Sequence, residues 1–310
     1  MKRILITGGS GYLGKDLALK LKDKYKVFLG SRNNSNNFAA EKEVKCKSIP
    51  LDIANIESIK DALNFTRAEI VIHAAATKFV GLSEKQPFEC VDTNILGSTN
   101  LARACIDKKI KSVIGISTDK ATPPQKNLYG ISKSAMERIF LNANELSNTN
   151  FLCVRFGNIA WSTGSVFPLW QEMFEKNKLI LTTGPYMRRY FFSVDEASKL
   201  VIFAMNKIKS FKGCIVSQEM KSAQMIAFLK VWKKHWGGNY KIISNRIGDS
   251  VDETLIGENE LEHTKVHKER KKNYFIIDYK KKFFKKFKSA LSSKNAKKFS
   301  ENEIKNILKI

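Results

Sequence analysis

The sequence predicts an α/β fold, a doubly wound parallel sheet followed by a smaller mixed α/β lobe, on three observations. Short apolar runs alternate with helix-like stretches through the first 150 residues, the pattern of βαβ units. A glycine-rich turn joins the first run to the first helix, and after Gly157 the alternation breaks. Strands are predicted over 3–7, 26–31, 45–50, 70–73, 112–117 and 151–155, with helices over 11–22, 56–64, 88–107 and 128–143, where apolar residues recur at helical spacing. Beyond Gly157 a longer loop-and-helix region runs over 160–218. A helix at 229–236 and strands at 241–245 and 274–277 follow it. Near the end, Ser300-Glu301-Asn302-Glu303 has capping-box spacing before Ile304, Ile307 and Leu308.

Composition excludes several classes. With 310 residues and 43% of them hydrophobic, the chain can bury a sizeable core and is not fibrous or disordered. The mean hydropathy is −0.28, and neither an apolar run of spanning length nor a leader pattern is seen, so a soluble cytoplasmic protein is expected. Cysteines 46, 90, 105, 153 and 214 lack C-x-x-C spacing, so no disulfide framework or metal site is expected. The formal charge is +24, and residues 260–310 hold 16 Lys and Arg against six Asp and Glu. That excess, with Lys20, Lys22, Lys24 and Lys26, reads as solvated faces, and no nucleic-acid partner is expected. The run KKKFFKKFK at 280–288 reads as dimer packing or a solvated linker, with contact to an anionic membrane surface as the lesser alternative. Trp232 and Trp236 read as a packed helix face, and His73 as a packed strand end.

The first turn, Thr7-Gly8-Gly9-Ser10-Gly11-Tyr12-Leu13-Gly14, predicts a Rossmann-like dinucleotide site. Gly8 permits the tight turn, Gly11 lets the backbone approach a pyrophosphate, and Gly14 lets helix pack on strand. The second strand ends at Ser31-Arg32, without the carboxylate that usually meets an NAD ribose. A hydroxyl and a guanidinium suit a 2′-phosphate, so NADP is expected. Asp52 and Ile53 fall where adenine would lie, and Ala74, Ala75 and Ala76 near the nicotinamide ribose.

Tyr129 and Lys133 stand four apart on one predicted helix face. A tyrosine is a poor base at neutral pH, so it needs a neighbouring cation, which Lys133 can supply while also holding a ribose. Ser117-Thr118-Asp119-Lys120 lies at the end of the preceding strand, and Asn94 falls between this region and the glycine turn.

With TGGSGYLG, HAAATKFV at 73–80, NILGSTNLARAC at 94–105, STDKATPPQKNLYGISK at 117–133, VRFGN at 154–158, GSVFPLW at 164–170 and MRRYFFSVDEA at 187–197, nearly the whole chain resembles the extended short-chain dehydrogenases/reductases. Within them it resembles the inverting UDP-N-acetylglucosamine 4,6-dehydratases of the polysaccharide biosynthesis family. Retaining relatives commonly lack the tyrosine found here as Tyr129.

The resemblance implies a redox-neutral dehydration on a tightly held, recycled NADP. Tyr129, helped by Thr118 and Lys133, takes the C4 hydroxyl proton as hydride leaves C4. Lys120 takes the C5 proton, and Asp119, protonated, donates to the departing C6 hydroxyl. Hydride returns to C6 and a proton to the opposite face of C5. Asn94 goes with the cofactor. Lys78, Asn158, Ser165, Val166, Pro168, Arg189, Arg246 and Glu253 are the implied substrate contacts, and a homo-oligomer is implied as well. The family typically reads Met-Thr-Arg-Phe where this chain has Met187-Arg188-Arg189-Tyr190. Where it reads Arg-Pro-Gly-Glu-Lys-x-His-Glu, this chain runs from Arg246 to Glu253; at Trp161-Ser162 smaller or basic residues are common.

The expected organisation is an NADP-binding part over 1–157, a mainly substrate-binding lobe over 158–278 with elements returning to the main sheet, and a basic segment with a terminal helix over 279–310. Two competing readings stand: a nucleotide-sugar 4-epimerase or 4-keto reductase on the same scaffold, which needs no Asp119-Lys120 pair, and a non-catalytic dinucleotide-binding protein, against which the intact Tyr129 and Lys133 argue.

Overall fold

The structure, a computed structural model, describes residues 1–244, 248–283, 287 and 289–310. Along the chain the described strands are β1 (Arg3–Thr7), β2 (Lys26–Ser31), β3 (Ser48–Pro50), β4 (Ile70–His73), β5 (Ser112–Ile116), β6 (Asn150–Val154), β7 (Asn158–Ile159), β8 (Leu179–Thr183), β9 (Arg188–Phe192), β10 (Ile215–Gln218), β11 (Ser222–Gln224), β12 (Asn239–Ile243), β13 (Thr254–Ile256), β14 (Thr264–Glu269), β15 (Lys272–Ile277) and β16 (Leu291–Ser292). The helices are α1 (Tyr12–Leu21), α2 (Asn34–Val44), α3 (Ile56–Thr66), α4 (Val80–Lys85), α5 (Pro87–Val91), α6 (Gly97–Asp107), α7 (Leu128–Ala143), α8 (Val166–Asn177), α9 (Val194–Asn206), α10 (Ile208–Phe211), α11 (Met225–Trp236) and α12 (Glu301–Leu308).

Among the described residues a nine-stranded sheet runs β14-β15-β10-β6-β5-β4-β1-β2-β3. It is parallel from β3 to β10, and β15 and β14 add an antiparallel edge. Ile4, Leu5, Ile6, Val113 and Ile114 are fully buried because helices cover both faces, which is why these strands read as unbroken apolar runs. The register sets Thr7 beside both Gly30 and His73, and His73 beside Gly115. The C-terminal ends of β1, β4 and β5 therefore meet at one edge, the place where open α/β sheets bind ligands.

The lobe after Gly157 has its own core. Phe167, Trp170, Phe191, Phe228 and Trp232 pack ring on ring, between the sheet β11-β9-β7 and helices α8 and α11. Trp232 is buried, as a packed face requires, and its ring lies 4.4 Å from the tilted ring of Trp236, which is exposed. Ile304 and Leu308 of α12 join this core, and α12 starts with the Ser300–Glu303 capping box.

Three differences from the sequence expectations have physical causes. Helix α2 was not expected, since its polar run buries only Asn37, Ala40 and Val44. It ends with Lys45 in the left-handed region, which shortens the predicted strand 45–50 to β3. The predicted helix 88–107 is broken by a π turn, Asp92–Leu96, as described below. In the basic run, Lys280, Lys281 and Lys282 pair with Glu145, Asp278 and Glu262, and Phe287 packs on Phe275 at 5.7 Å. These lysines remain exposed in their ion pairs; Phe284, Lys285, Lys286 and Lys288 lie outside the described residues. No described helix is long and apolar enough to cross a membrane.

Candidate active site

A cavity of about 1030 Å³ opens at the carboxyl edge of the sheet. One end is the glycine turn. Gly8 has φ +68, and a Cβ there would stand 2.8 Å from Ala75 N; a Cβ on Gly14 would meet Gly8 O and Gly9 Cα at 2.7 Å. Gly9, not singled out from the sequence, is as constrained, since its Cβ would fall 2.7 Å from Leu29 Cα. The turn is therefore pressed against β2 and β4, and α1 starts at Gly11 without a side-chain cap. Its first N–H groups are available to an anion, so these residues fit a pyrophosphate. Ser10, Tyr12, Leu13, Ala74, Ala75 and Ala76 line the same end.

Other expected cofactor residues act one step away from this wall. The Thr7 hydroxyl bonds His73 Nδ1 at 2.8 Å and accepts from Ala75 N, and His73 Nε2 meets Ser98 Oγ at 3.0 Å. Burial foremost, and then Lys133, pushes His73 down to about 3. Unfolded, it would titrate near 6.5. Because the unfolded chain takes up a proton that the folded one refuses, His73 makes stability fall between about pH 6.5 and 3. A His73→Gln variant is expected to flatten that part of a urea-midpoint-against-pH curve; an unchanged slope would contradict this.

Asn94 does not reach the cavity. Its amide bonds both Thr77 N and Thr77 O, at 2.8 and 2.9 Å, and Ser132 Oγ at 2.9 Å. It sits in the π turn, whose extra residue re-aims it, and fastens the loop after β4 to α7. Asp52 caps its own loop through Ala54 N, and Ile53 packs against Gly97; neither lines the cavity wall. Ser31 bonds Ser10 Oγ at 2.6 Å and also Asn37. Arg32 Nη2 pairs with Glu89 Oε1 at 2.9 Å, both half exposed.

At the centre stand Thr118, Lys120, Tyr129 and Lys133. Asn127 caps α7 through Gly130 N at 2.8 Å, which fixes the turn carrying Tyr129. A Cβ on Gly130 would collide with the Lys120 carbonyl, so the helix start rests directly on the Thr118-Asp119-Lys120 turn. Burial raises Tyr129 to about 12, and the largest opposing influence is Lys120, aided by the Thr118 hydroxyl. The cation expected of Lys133 is thus supplied foremost by Lys120. Lys133 is buried, lowered to about 8, and its ammonium donates at 3.0 Å to the weak acceptor Met136 Sδ. Such an ammonium retains donors for ribose hydroxyls.

Lys120 Nζ lies 3.0 Å from Asp119 Oδ1 and 3.4 Å from Glu253 Oε1. Burial alone would lower it, but the two carboxylates together raise it above the ordinary lysine value. The residue expected to be a base is therefore held as an ammonium. Asp119, expected as the C6 acid, is 1% exposed and absent from the cavity wall. Its Oδ1 accepts from both Thr118 Oγ1 and Lys120, and its Oδ2 is buried without a hydrogen-bond partner among the described residues, facing Gly157. Asp119 holds Lys120 from within; the carboxyl that pairs with Lys120 and lines the cavity is that of Glu253, whose pKa burial raises.

Of the expected substrate residues, Lys78, Asn158, Ser165, Arg189 and Glu253 line the cavity. Lys78 is an exposed residue, while desolvation lowers its ammonium. Asn158 Nδ2 donates to Tyr190 O, and Arg189 Nε approaches Glu253 at 3.7 Å. Val166 and Pro168 do not line it, because they sit in the first turn of α8, where Val166 packs on the lobe core. Trp161 also turns away, donating Nε1–H to Ile307 O at 2.7 Å. Arg246 lies outside the described residues. At the rim, Gly164 has φ +70 and a Cβ there would fall 2.5 Å from the Phe79 ring, so the two walls touch.

Sequence reasoning missed what supports this centre. Arg155 is fully buried and forms paired bonds to Glu137 (3.0 and 2.7 Å) and Glu260 (2.8 and 2.9 Å). Ser117 Oγ donates to Glu137 at 2.6 Å, which ties the triad to the Thr118-Asp119-Lys120 turn. An arginine inside the apolar run Phe151-Leu152-Cys153-Val154-Arg155-Phe156 was the available signal, since a buried cation needs buried partners.

A pyrophosphate-shaped turn at the sheet edge, beside a Thr, Tyr and Lys constellation on α7 and the preceding turn, defines the short-chain dehydrogenase/reductase class. The family model described as "Polysaccharide biosynthesis protein" matches residues 4–276, and the chain belongs to that family. It is 34% identical to an "uncharacterized membrane protein" of Methanocaldococcus jannaschii, over 99% of this chain and 95% of that one. It is 31% identical to the UDP-N-acetylglucosamine 4,6-dehydratase (inverting) of Campylobacter jejuni, over 82% and 77%. It is 32% identical to the UDP-glucose 4-epimerase of Rickettsia bellii, over 84% and 79%. The solved structure of Pen from Bacillus thuringiensis superposes with a TM-score of 0.89 at 30% identity, covering 99% of this chain and 96% of that one.

Proposed function

We propose that this chain is an NADP-using nucleotide-sugar 4,6-dehydratase, acting in the cytoplasm on UDP-N-acetylglucosamine with inversion at C5, for surface polysaccharide or glycoprotein sugars. The observation that carries this reading is one cavity holding both a C4 apparatus, Thr118, Tyr129 and Lys133, and a second acid-base pair, Lys120 and Glu253. A bound nicotinamide supplies a two-electron acceptor at C4 and returns the electrons at C6. Tyr129 accepts the C4 hydroxyl proton, with the Lys120 charge and the Thr118 hydroxyl favouring its phenolate. Lys133 orients the ribose. Lys120 faces C5, and the keto group at C4 makes that C–H acidic. Arg189 offers a planar cation to the diphosphate, and the α1 N-terminus holds the cofactor pyrophosphate. The division at 157/158 into cofactor and substrate parts belongs to the same reading. So does a homo-oligomer, in keeping with the exposed Phe88, Leu96 and Ile131 on neighbouring turns of α5, the π turn and α7.

The 4-epimerase reading is favoured by the Rickettsia relative. It leaves Lys120 and Glu253 without a task, since epimerisation at C4 needs no proton from C5. Product analysis separates the two: an epimerase returns a sugar of unchanged mass, a dehydratase one lighter by a water.

The choice of NADP rests on Ser31 and Arg32. A charge-assisted bond to a 2′-phosphate contributes about 1.5–3 kcal/mol, roughly 10- to 100-fold in affinity. Arg32→Ala is expected to weaken NADP+ binding by that factor in titration calorimetry and to leave NAD+ binding unchanged. Equal weakening of both would contradict the assignment.

A further inference from the structure

Two carboxylates from different parts of the chain meet one ammonium in the cavity. Asp119 Oδ1 stands at 3.0 Å and Glu253 Oε1 at 3.4 Å from Lys120 Nζ. They are not equivalent. Asp119 is bound on the inner side, where Thr118 donates to it as well, and does not face the cavity. Glu253 does, from the segment just before β13, and is only 6% exposed. Its place is fixed from three directions. Glu253 N donates to Ser293 Oγ at 3.1 Å and Ser293 N to Glu253 O at 2.8 Å. The preceding residue, Asp252, is gripped by Arg188 in a paired bridge of 2.6 and 2.7 Å. Arg189 Nε lies at 3.7 Å from the Glu253 carboxylate. The charged groups facing Glu253 are thus Lys120, Asp119 and Arg189.

A lysine held as an ammonium cannot take a proton from carbon until it gives one up, and among the described residues the only cavity-facing carboxylate bound to it is Glu253. We propose that Glu253 is a catalytic residue of the dehydration: it takes the Lys120 proton, and then delivers that proton to the departing C6 oxygen. The inference rests on the dehydratase reading above. Before elimination Lys120 is a neutral amine and Glu253 a neutral acid. The C5 proton passes to Lys120 Nζ, and the electrons of the C5–H bond form the C5=C6 double bond. The C6–O bond breaks, its pair stays on oxygen, and the Glu253 proton completes a water. The products are an ammonium and a carboxylate, the ion pair seen at 3.4 Å, so protons and charge balance. Burial that raises the carboxyl pKa of Glu253 favours the neutral acid in this cycle.

The test compares wild type with Glu253→Gln and Glu253→Asp, as purified with their cofactor, on UDP-N-acetylglucosamine. Single-turnover absorbance reads C4 oxidation, and mass spectrometry reads water loss. Glu253→Gln is expected to slow water loss about 100-fold more than C4 oxidation, in the range of general acid-base effects, and Glu253→Asp to recover part of it. A purely structural role would slow both steps together, and that result, or water loss at the wild-type rate, would overturn the proposal. A second measurement needs no substrate. Carbamylation of Lys120 by cyanate in mildly alkaline buffer, mapped on peptides, is expected to rise at least tenfold in Glu253→Gln, because one of the two carboxylates holding the ammonium is gone. Unchanged labelling would overturn the proton exchange between the pair. If wild type oxidised no nucleotide sugar while labelling rose as expected, the dehydratase reading would fail and the Lys120–Glu253 proton coupling would stand.

Discussion

Lys120→Met is expected to reduce dehydration about 1000-fold while C4 oxidation falls only about tenfold. The two effects differ because Lys120 has two roles. As the group facing C5 it supplies the proton transfer, a contribution of about 10²–10⁴. As a cation it lowers Tyr129 from the high value that burial imposes, so its loss makes the phenolate scarcer. Lys120→Arg separates the roles, since guanidinium keeps the charge but does not deprotonate near neutrality. It should restore C4 oxidation and leave water loss as slow as in Lys120→Met. The pH dependence follows in sign. Tyr129 is held above neutrality in its protonated form, so C4 oxidation should quicken as pH rises from neutral, whereas water loss should not, because the Lys120–Glu253 exchange keeps the pair's proton count unchanged. Equal losses in the two steps for both variants would refute the division of labour.

Arg155→Met is expected to destabilise the fold by about 3–5 kcal/mol, the cost of leaving buried charges without their partner. Glu137 and Glu260 would both be stranded, since each takes two bonds from that guanidinium. In the wild type, Arg155 and the Tyr279 hydroxyl outweigh burial and hold Glu260 below its ordinary value. That stabilisation is present above the unfolded carboxyl value near 4.5 and is lost as pH falls through the lower folded one. In the variant, burial, which raises the Glu260 carboxyl, would act without the guanidinium that opposes it. The gap in urea midpoint between wild type and variant should therefore be widest at neutral pH and narrow on acidification. A change under 1 kcal/mol, or a gap independent of pH, would show that the triad is not what braces the Ser117–Lys120 turn.

The parts of this protein that were legible in its sequence are those whose physics is local. Gly8 and Gly14 announce themselves because a turn and a close helix–strand approach admit no side chain. Tyr129 and Lys133 share a helix face, so spacing alone pairs them. The apolar runs of β1, β4 and β5 are buried on both sides and read as strands. Helix α2 was hidden because it covers the sheet edge with little apolar surface, and the π turn at 92–96 because it follows from where Thr77 and Ser132 lie, not from residues near Asn94 in sequence. The charge state of Lys120 was likewise unreadable. It depends on Glu253, 133 positions away, reaching the same point across the cavity. The donor role of Asp119 is implied by the family resemblance alone, whereas the fold turns its Oδ2 inward toward Gly157. Trp161, which stands where smaller or basic residues are common in the family, spends its indole N–H on the carbonyl of Ile307 in the terminal helix.

The most direct test of the dehydratase account incubates the purified protein with UDP-N-acetylglucosamine in deuterated water, without added reductant, and reads product mass and C5 configuration by NMR. The account predicts loss of one water, one deuterium at C5 and inverted configuration there. An isomer of unchanged mass, with protium kept at C5 and configuration altered only at C4, would contradict it and place this chain among the epimerases.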